Sequence, residues 1–374
     1  MTPPLPPPDR HAGVIARIVA ASARNPMLTL LLAAALAVWG WYALRAAPLD
    51  AIPDLSDTQV IVFTEWPGQS PDRVENQVTY PVSSALLSTP KVRAVRGQSF
   101  FGLSFVYLIF EDGTDLYWAR SRVTEALARI EHELPAGARP TLGPDATGVG
   151  WVFQYALKPT PPVYVDPGER VGSHLHGAAA HHEDAHDRLA ALRSFQDWNL
   201  RYALESVPGV AEVASLGGML KQYEVQLDPD KLHAHGLGVE DVARAVRGAN
   251  LEIGGRTLEI AEHEHVLRGR AAVTTPEDIA SALVATKPDG TPVLVRDVGQ
   301  VVRAQAQGRG MADLDGEGEV VGGIVIMRYG ENALEVIDAV KQRLTEARAS
   351  LPKDTELTVT YDRSDLIRSA IGTL

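Results

Sequence analysis

Residues 72–96 read DRVENQVTYPVSSALLSTPKVRAVR, an apolar-periodic helix that halts at Thr89-Pro90 and passes into the Val92-x-x-Val95 of a strand. Proline lacks the backbone N–H and disfavours helical geometry in the residue before it, so the helix must end there. Residues 198–214 read WNLRYALESVPGVAEVA, the same grammar, with Pro208 standing 118 residues after Pro90. A second matched pair follows: residues 116–142 and 334–360 each give a helix, a Leu-Pro step and a strand. Here Pro135 and Pro352 are 217 apart, so about 99 residues more separate the two halves of the second copy. Strands at Val60–Trp66 and Ser104–Phe110 flank the first copy, and Trp151–Leu157 and Glu319–Met327 the second. The order βαββαβ in both is that of a ferredoxin-like split βαβ sandwich.

The expected class is therefore α+β, with two such units at 49–148 and at 149–222 plus 304–362, the second interrupted. The interruption, 223–303, reads as a small α+β body of its own. It holds a helix opening on Asp228-Pro229 near Lys231, an amphipathic helix Val239–Ala249, and strands near Thr257–Arg270 and Val293–Val302. Gly236, Gly238, Gly254 and Gly255 punctuate it.

Ahead of these units, Met27–Leu44 is eighteen residues without a charge. As a helix rising ~1.5 Å per residue it spans about 27 Å, close to the ~30 Å core of a bilayer. A transmembrane helix is expected over 26–45, preceded by a disordered Pro-rich tail (1–11) and a membrane-surface helix (12–24). Arg10, Arg17 and Arg24 precede the span and Asp50, Asp54 and Asp57 follow it, which places the N-terminus in the cytoplasm and the bulk of the chain outside. Trp39, Trp41 and Tyr42 suit the headgroup level at the exit. A cleaved signal peptide fits less well, because its apolar core runs ~7–15 residues.

The chain has ordinary globular composition, 45% hydrophobic and 22% charged, and its water-side body is large enough to fill two or three small cores. With no cysteine, disulfides, thiolate metal sites and cysteine nucleophiles are excluded. A net charge of −12 argues against a nucleic-acid partner and favours cations.

A run of ordered motifs then carries a resemblance. PLDAIPDLSDTQVIV (48–62), VENQVTYPVSSALLS (74–88), VRGQSFFG (95–102), IFEDGTDLYWARSRV (109–123), LGPDATGVGW (142–151), SFQDW (194–198), VAEVASLGG (210–218), LDGEGEV (314–320) and YDRSDLI (361–367) occur in sequence. Together they resemble the N-terminal half of heavy-metal efflux pumps of the resistance-nodulation-division (RND) class, nearest the copper/silver-exporting branch. The resemblance implies a first membrane helix, porter subdomain 1 (49–148), porter subdomain 2 (149–222 and 304–362) and a docking subdomain (223–303) inserted into the second. It implies a proton-driven pump of the inner membrane, with the bulk of this half in the periplasm. Its expected partners are a C-terminal half, two further copies in a homotrimer, a periplasmic adaptor (membrane fusion protein) and an outer-membrane channel. Residues 363–374 correspond to the approach to a second membrane helix, and the family's proton-relay carboxylates and three-methionine cuprous site belong to the part that follows. As a truncated or split half, the chain is expected not to pump alone, to carry no resident cofactor and to have no catalytic residues.

Candidate metal chemistry lies in an insert at 171–188, VGSHLHGAAAHHEDAHDR, which holds His174, His176, His181, His182 and His186. Five imidazoles in thirteen residues is a metal-binding composition suited to Zn, Cu(II), Ni or Co. The plain alternative is a flexible linker rich in histidine. Where the family carries a periplasmic methionine, the strand Ala261–Arg268 has Val266, which cannot ligate. His263 and His265 share a face of that strand. The internal methionines Met27, Met219, Met311 and Met327 read as core or membrane residues. GPDATGVGW thus favours copper or silver, while Val266 and the histidines lean to divalent ions.

Two further classes remain. One is a membrane-anchored periplasmic metal-binding or adaptor protein acting through the His-rich loop. The other, remote, is a zinc peptidase: His182-Glu183-Asp184-Ala185-His186 satisfies H-E-x-x-H, although the motif lies ahead of the helix expected at 187–206 and lacks a distinct third ligand. There is no P-loop and no G-x-S-x-G elbow. The acids Glu111-Asp112 and Asp313/Asp315 belong to Gly-containing turns.

Overall fold

In the computed structural model, residues 22–46, 52–163, 179–250, 253–260, 263–269, 273–306 and 310–373 are described, with 19 and 50 singly. The expected N-terminal tail and most of the surface helix lie outside them, although residues 22–24 are helical. Helix α1 (Pro26–Ala46) carries the uncharged run, and residues 26–43 are long and apolar enough to cross a membrane. Its side chains are exposed along their length, from Met27 to Tyr42.

The chain divides into two compact units. Unit 1 comprises Met1–Gly150, Met327–Asp338 and Arg363–Leu374; unit 2 comprises Trp151–Ile326 and Ala339–Asp362. Unit 1 is built on β1 (Gln59–Glu65), α2 (Pro71–Val74), α3 (Tyr80–Leu86), β2 (Val92–Phe100), β3 (Leu103–Phe110), α4 (Leu116–Ile130) and β4 (Arg139–Leu142). Its sheet runs β2-β3-β1-β4, antiparallel throughout, with Val62 opposite Val106 and Phe63 opposite Phe105. The period-2 alternation of β1 and β3 sends Val60, Val62, Val106 and Leu108 into the core. Each such side chain contributes roughly 1.5–3 kcal/mol by leaving water. Helix α4 begins where Asp115 accepts the Trp118 N–H at 2.7 Å, and it buries Leu116, Ala119, Val123, Ala126 and Ile130 at alternating steps of three and four, with Leu127 beside them.

The first helix is not continuous. A π turn, Glu75–Thr79, separates α2 from α3, with the Tyr80 N–H donating to Glu75 O five residues back. Two sequence features explain it. Pro81 would press its ring on the carbonyl of Gln77 in a tight α ladder. The buried stripe Val74, Val78, Val82, Leu86 also advances by strict steps of four. At ~100° per residue, that stripe drifts about 120° over twelve residues of α-helix. One surplus residue in the turn reduces the count to about eleven helical steps and returns Leu86 to within ~20° of Val74.

Unit 2 repeats the plan with β5 (Trp151–Pro159), α5 (Ala179–Phe195), a π turn Gln196–Leu200, α6 (Arg201–Glu205) and β6 (Val210–Gly217). Here α5 starts eight residues ahead of the helix expected at 187–206. Between β6 and the remaining strands lies the insert. It comprises β7 (Lys221–Leu227), α7 (Pro229–His235), α8 (Val239–Ala249), β8 (Ile253–Ile260), β9 (His263–Gly269), α9 (Pro276–Ala280), β10 (Leu283–Thr286), β11 (Pro292–Leu294), α10 (Val295–Val298) and β12 (Gly299–Gln305). The strand expected near 257–270 is a hairpin, β8 with β9. The one expected at 293–302 is broken by α10, because Asp297 accepts the Leu294 N–H at 2.8 Å and turns the chain. Leu232, Val242, Val293, Val295 and Val298 give the insert its own core. Strands β7 and β12 pair along their whole length, from Lys221 opposite Gln305 to Leu227 opposite Gly299.

The chain then continues through β13 (Val321–Met327), α11 (Ala333–Ala347), β14 (Thr355–Asp362) and α12 (Arg363–Gly372). The second sheet runs β14-β5-β13-β6. Glu319, expected inside β13, instead bridges Asp313 across the Gly-rich LDGEGEV hairpin.

Candidate functional site

Unit 1 gathers charged side chains where its distant segments meet. The Arg363 guanidinium, buried at the start of α12, donates to Asp50 Oδ2 at 3.0 Å. Asp54 accepts the Thr147 hydroxyl at 2.6 Å and the Ser56 N–H at 3.0 Å. Partial burial pushes the Asp54 carboxyl up, but those hydrogen bonds and the nearby Arg363 charge outweigh it and hold the group below its ordinary value. Farther along, Tyr117 donates to Asp145 Oδ2 at 3.1 Å while Arg328 Nε stands 3.6 Å from the same oxygen. Burial, with the neighbouring Asp145 carboxylate, raises the Tyr117 phenol. Arg368 closes the group on Asp338 at 2.7 Å. Each carboxylate is occupied by donors, so the arrangement suits fastening rather than proton transfer or metal ligation. Among the described residues no three His, Asp or Glu side chains are grouped to hold a metal ion.

Both units also hold a buried polar contact between the first helix and the sheet. In unit 1, Thr79 and Ser104 share a 2.8 Å hydrogen bond, and Ser99 donates to Thr79 at 2.8 Å. In unit 2, Tyr155 Oη donates to Gln196 Oε1 at 2.8 Å, and Gln196 Nε2 donates to Ser215 Oγ at 3.3 Å. Tyr155 and Gln196 are fully enclosed, and burial carries the phenol far above its ordinary value. None of these residues stands out in the sequence; Gln196 inside a buried apolar stripe is the one local signal.

His174 and His176 lie outside the described residues, and those of His181, His182 and His186 that are described are backbone only, in helix α5. The backbone of the H-E-x-x-H run is thus helical, within α5 rather than ahead of it. His263 is exposed on β9 opposite Ile260, and Val266 stands opposite Thr257. Met219 and Met327 are buried and Met27 lies in α1, but Met311 is 39% exposed, outside the core-or-membrane expectation. Asp313 caps its own turn, accepting the Gly316 N–H at 2.6 Å, while Glu111-Asp112 sits in a turn closed by the backbone, Thr114 N–H to Glu111 O, with the Asp112 carboxylate 3.8 Å from Arg93.

One face of the first sheet remains aromatic. Phe63 and Phe105 lie 5.2 Å apart between ring centroids, Phe100 meets Phe105 edge-on at 5.9 Å, and Tyr107 stacks at 6.5 Å. Phe100 is half exposed.

Compared with known proteins, residues 18–374 match the family described as AcrB/AcrD/AcrF. The cation efflux system protein CusA of Escherichia coli K12 is 46% identical over 357 residues, 96% of this chain and 32% of CusA. The nickel and cobalt resistance protein CnrA of Cupriavidus metallidurans is 34% identical over 372 residues, 96% of this chain and 34% of CnrA. A crystal structure of a heavy metal efflux pump superposes with a TM-score of 0.77 at 28% identity, covering 95% of this chain and 33% of that one. The chain thus spans about a third of the length of the curated relatives it matches.

Proposed function

The chain belongs to the AcrB/AcrD/AcrF family, as an N-terminal part of the heavy-metal RND type, and on that premise we propose that it is the membrane-tethered porter portion of a cation exporter for copper or silver. The observation that carries this reading is the 46% identity to CusA across 96% of the chain. Each four-stranded sheet supports it: with strands numbered in chain order within the sheet, each runs 4-1-3-2, the order of a ferredoxin-like sandwich. Residues 49–148 form porter subdomain 1; 149–222 and 304–362 form porter subdomain 2; 223–303 are the docking subdomain. The apolar α1 with Arg17 and Arg24 before it supports a place in the inner membrane with the N-terminus cytoplasmic.

In this reading the porter portion does not pump alone. Translocation is driven by protons through the remainder of the pump, in a trimer that engages a periplasmic adaptor and an outer-membrane channel. The chain carries no catalytic residues and no resident cofactor; the metal ion is cargo. Metal-tolerance profiling of a strain lacking this gene tests the proposal. Selective sensitivity to copper and silver supports it, selective sensitivity to nickel, cobalt or zinc reassigns the ion, and unchanged tolerance to all of them overturns export.

A second reading is favoured by one observation, the five histidines at 174–186, and makes the His-rich segment a metal-binding loop. Equilibrium dialysis of the full chain with Zn²⁺ and Cu²⁺, beside a variant with His174, His176, His181, His182 and His186 changed to Ala, tests it. Equal uptake by both proteins removes the loop from the account. Zinc-dependent peptidase activity lost on Glu183→Gln would instead favour the remote enzymatic alternative.

A further inference from the structure

The two π turns fall in the same helix of the internal repeat, the second three residues later than an offset of 118 would place it. The buried stripe of unit 1, Val74, Val78, Val82 and Leu86, is matched at a constant offset of 118 by Leu192, Gln196, Leu200 and Leu204 in unit 2. Both stripes advance by steps of four, and both helices absorb the drift with one surplus residue, at Glu75–Thr79 and at Gln196–Leu200. Pro81 assists the first turn, but no proline stands in or beside the second. The step-of-four stripe is therefore the shared cause.

Each turn is pinned from within. Thr79, the last residue of the first turn, is hydrogen-bonded to Ser104 and Ser99; Gln196, the first residue of the second, to Tyr155 and Ser215. The sheets are cleared beneath these pins. A Cβ on Gly97 would stand 2.6 Å from Thr79 Cγ2, and one on Gly323 would stand 2.3 Å from the Tyr155 ring. An aromatic ring stands exposed at the same repeat position in both helices, Tyr80 directly after the first turn and Trp198 within the second, exposed by 70% and 69%.

A π turn replaces tight i→i−4 bonds by wider ones and holds a residue that the ladder does not need. We propose that the two turns are matched slip joints: the polar pin holds the helix on its sheet while the surplus residue lets the segment before the turn shift register without leaving the core. Helix register shifts of this kind run on microsecond-to-millisecond times, within reach of a transport cycle. Such a shift is independent of the ion carried.

Hydrogen exchange on the full chain in detergent, resolved by mass spectrometry, tests it. Amides at 76–80 and 197–201 are expected to exchange at least tenfold faster than those of the equally buried helix α4, with no dependence on low urea, the mark of local rather than global opening. Deleting Asn76 removes the surplus residue, and exchange over 77–80 is expected to slow to the α4 level while α4 itself is unchanged. Thr79→Val removes the pin and is expected to quicken exchange at the first turn by about threefold, leaving the second alone. Protection at both turns equal to that of α4 in the unmodified chain overturns the proposal, whether or not the deletion variant folds.

Discussion

Arg363 and Asp50 stand 313 residues apart in the chain and 3.0 Å apart in space, joining the segment that follows α1 to the first turn of α12. The guanidinium is 4% exposed and the carboxylate 27%. Removing a carboxylate from beside a buried guanidinium costs more than the contact contributes, because part of the desolvation already incurred loses its compensation. Asp50→Ala is therefore expected to lower the unfolding free energy of the full chain by about 3 kcal/mol in urea titration, with little rescue or aggravation by salt. A loss below about 0.5 kcal/mol would mean that the pair behaves as an ordinary surface contact.

Alkaline pH should weaken unit 2 through one phenol. Burial raises Tyr155 well above its ordinary value of 10.0, so the unfolded chain ionises this group before the folded chain does. The contribution is complete below pH 10.0 and fades as pH climbs past it. Tyr155→Phe strands Gln196 Oε1 and is expected to destabilise by about 1–3 kcal/mol at neutral pH. The same variant should lose less stability than the unmodified chain between about pH 10 and 11.5, measured by unfolding at each pH; parallel curves would remove Tyr155 from the alkaline response.

Glycine 323 leaves no room for a methyl group. An added Cβ would lie 2.3 Å from the Tyr155 ring, which is itself enclosed and tethered to Gln196. Gly323→Ala should therefore destabilise by about 1–3 kcal/mol or more by overpacking. Gly148, with open space where its Cβ would be, is the control, and Gly148→Ala should stay within about 0.5 kcal/mol. Thermal melts of the two variants decide; equal shifts would deny the close approach.

At the start of α9, Asp278 accepts the N–H groups of Thr274 and Thr275 while Thr275 Oγ1 accepts the Asp278 N–H. The backbone bond from Thr274, then that from Thr275, hold the carboxyl down at about 2. A depressed carboxylate contributes stability above its unfolded value of 3.8 and loses it as pH falls from there to about 2. Carboxyl-carbon NMR should find Asp278 titrating near 2, and Thr275→Ala should move it upward; a titration at the ordinary value would break the cap.

What was legible beforehand was local. The Leu-Pro and Thr-Pro stops, the helix Val239–Ala249 and the chain direction through β1, β3 and β5 follow from periodicity and proline alone. The π turns were not: each copy reads as one continuous helix, and the step of four over twelve residues only hints at the drift. What else escaped was long-range. Nothing near Gln196 announces Tyr155, 41 residues earlier, and nothing near Asp50 announces Arg363, because both contacts exist only once the sheet and helices have been assembled. Val293–Val302 misled for another reason: a β-branched run was turned into a short helix by one aspartate that captured a backbone N–H.

The paired strands β7 and β12 carry the chain out to the insert and back through a single ribbon, with Leu227 facing Gly299 at its far end. The two ends of residues 228–298 are therefore held one strand spacing apart, about 4.8 Å, whatever that segment contains. Loop closure has been settled by the ribbon, so the segment is a cassette: a tight hairpin turn could replace it, or a foreign one of another shape be transplanted, without asking the sandwich beneath to change its register.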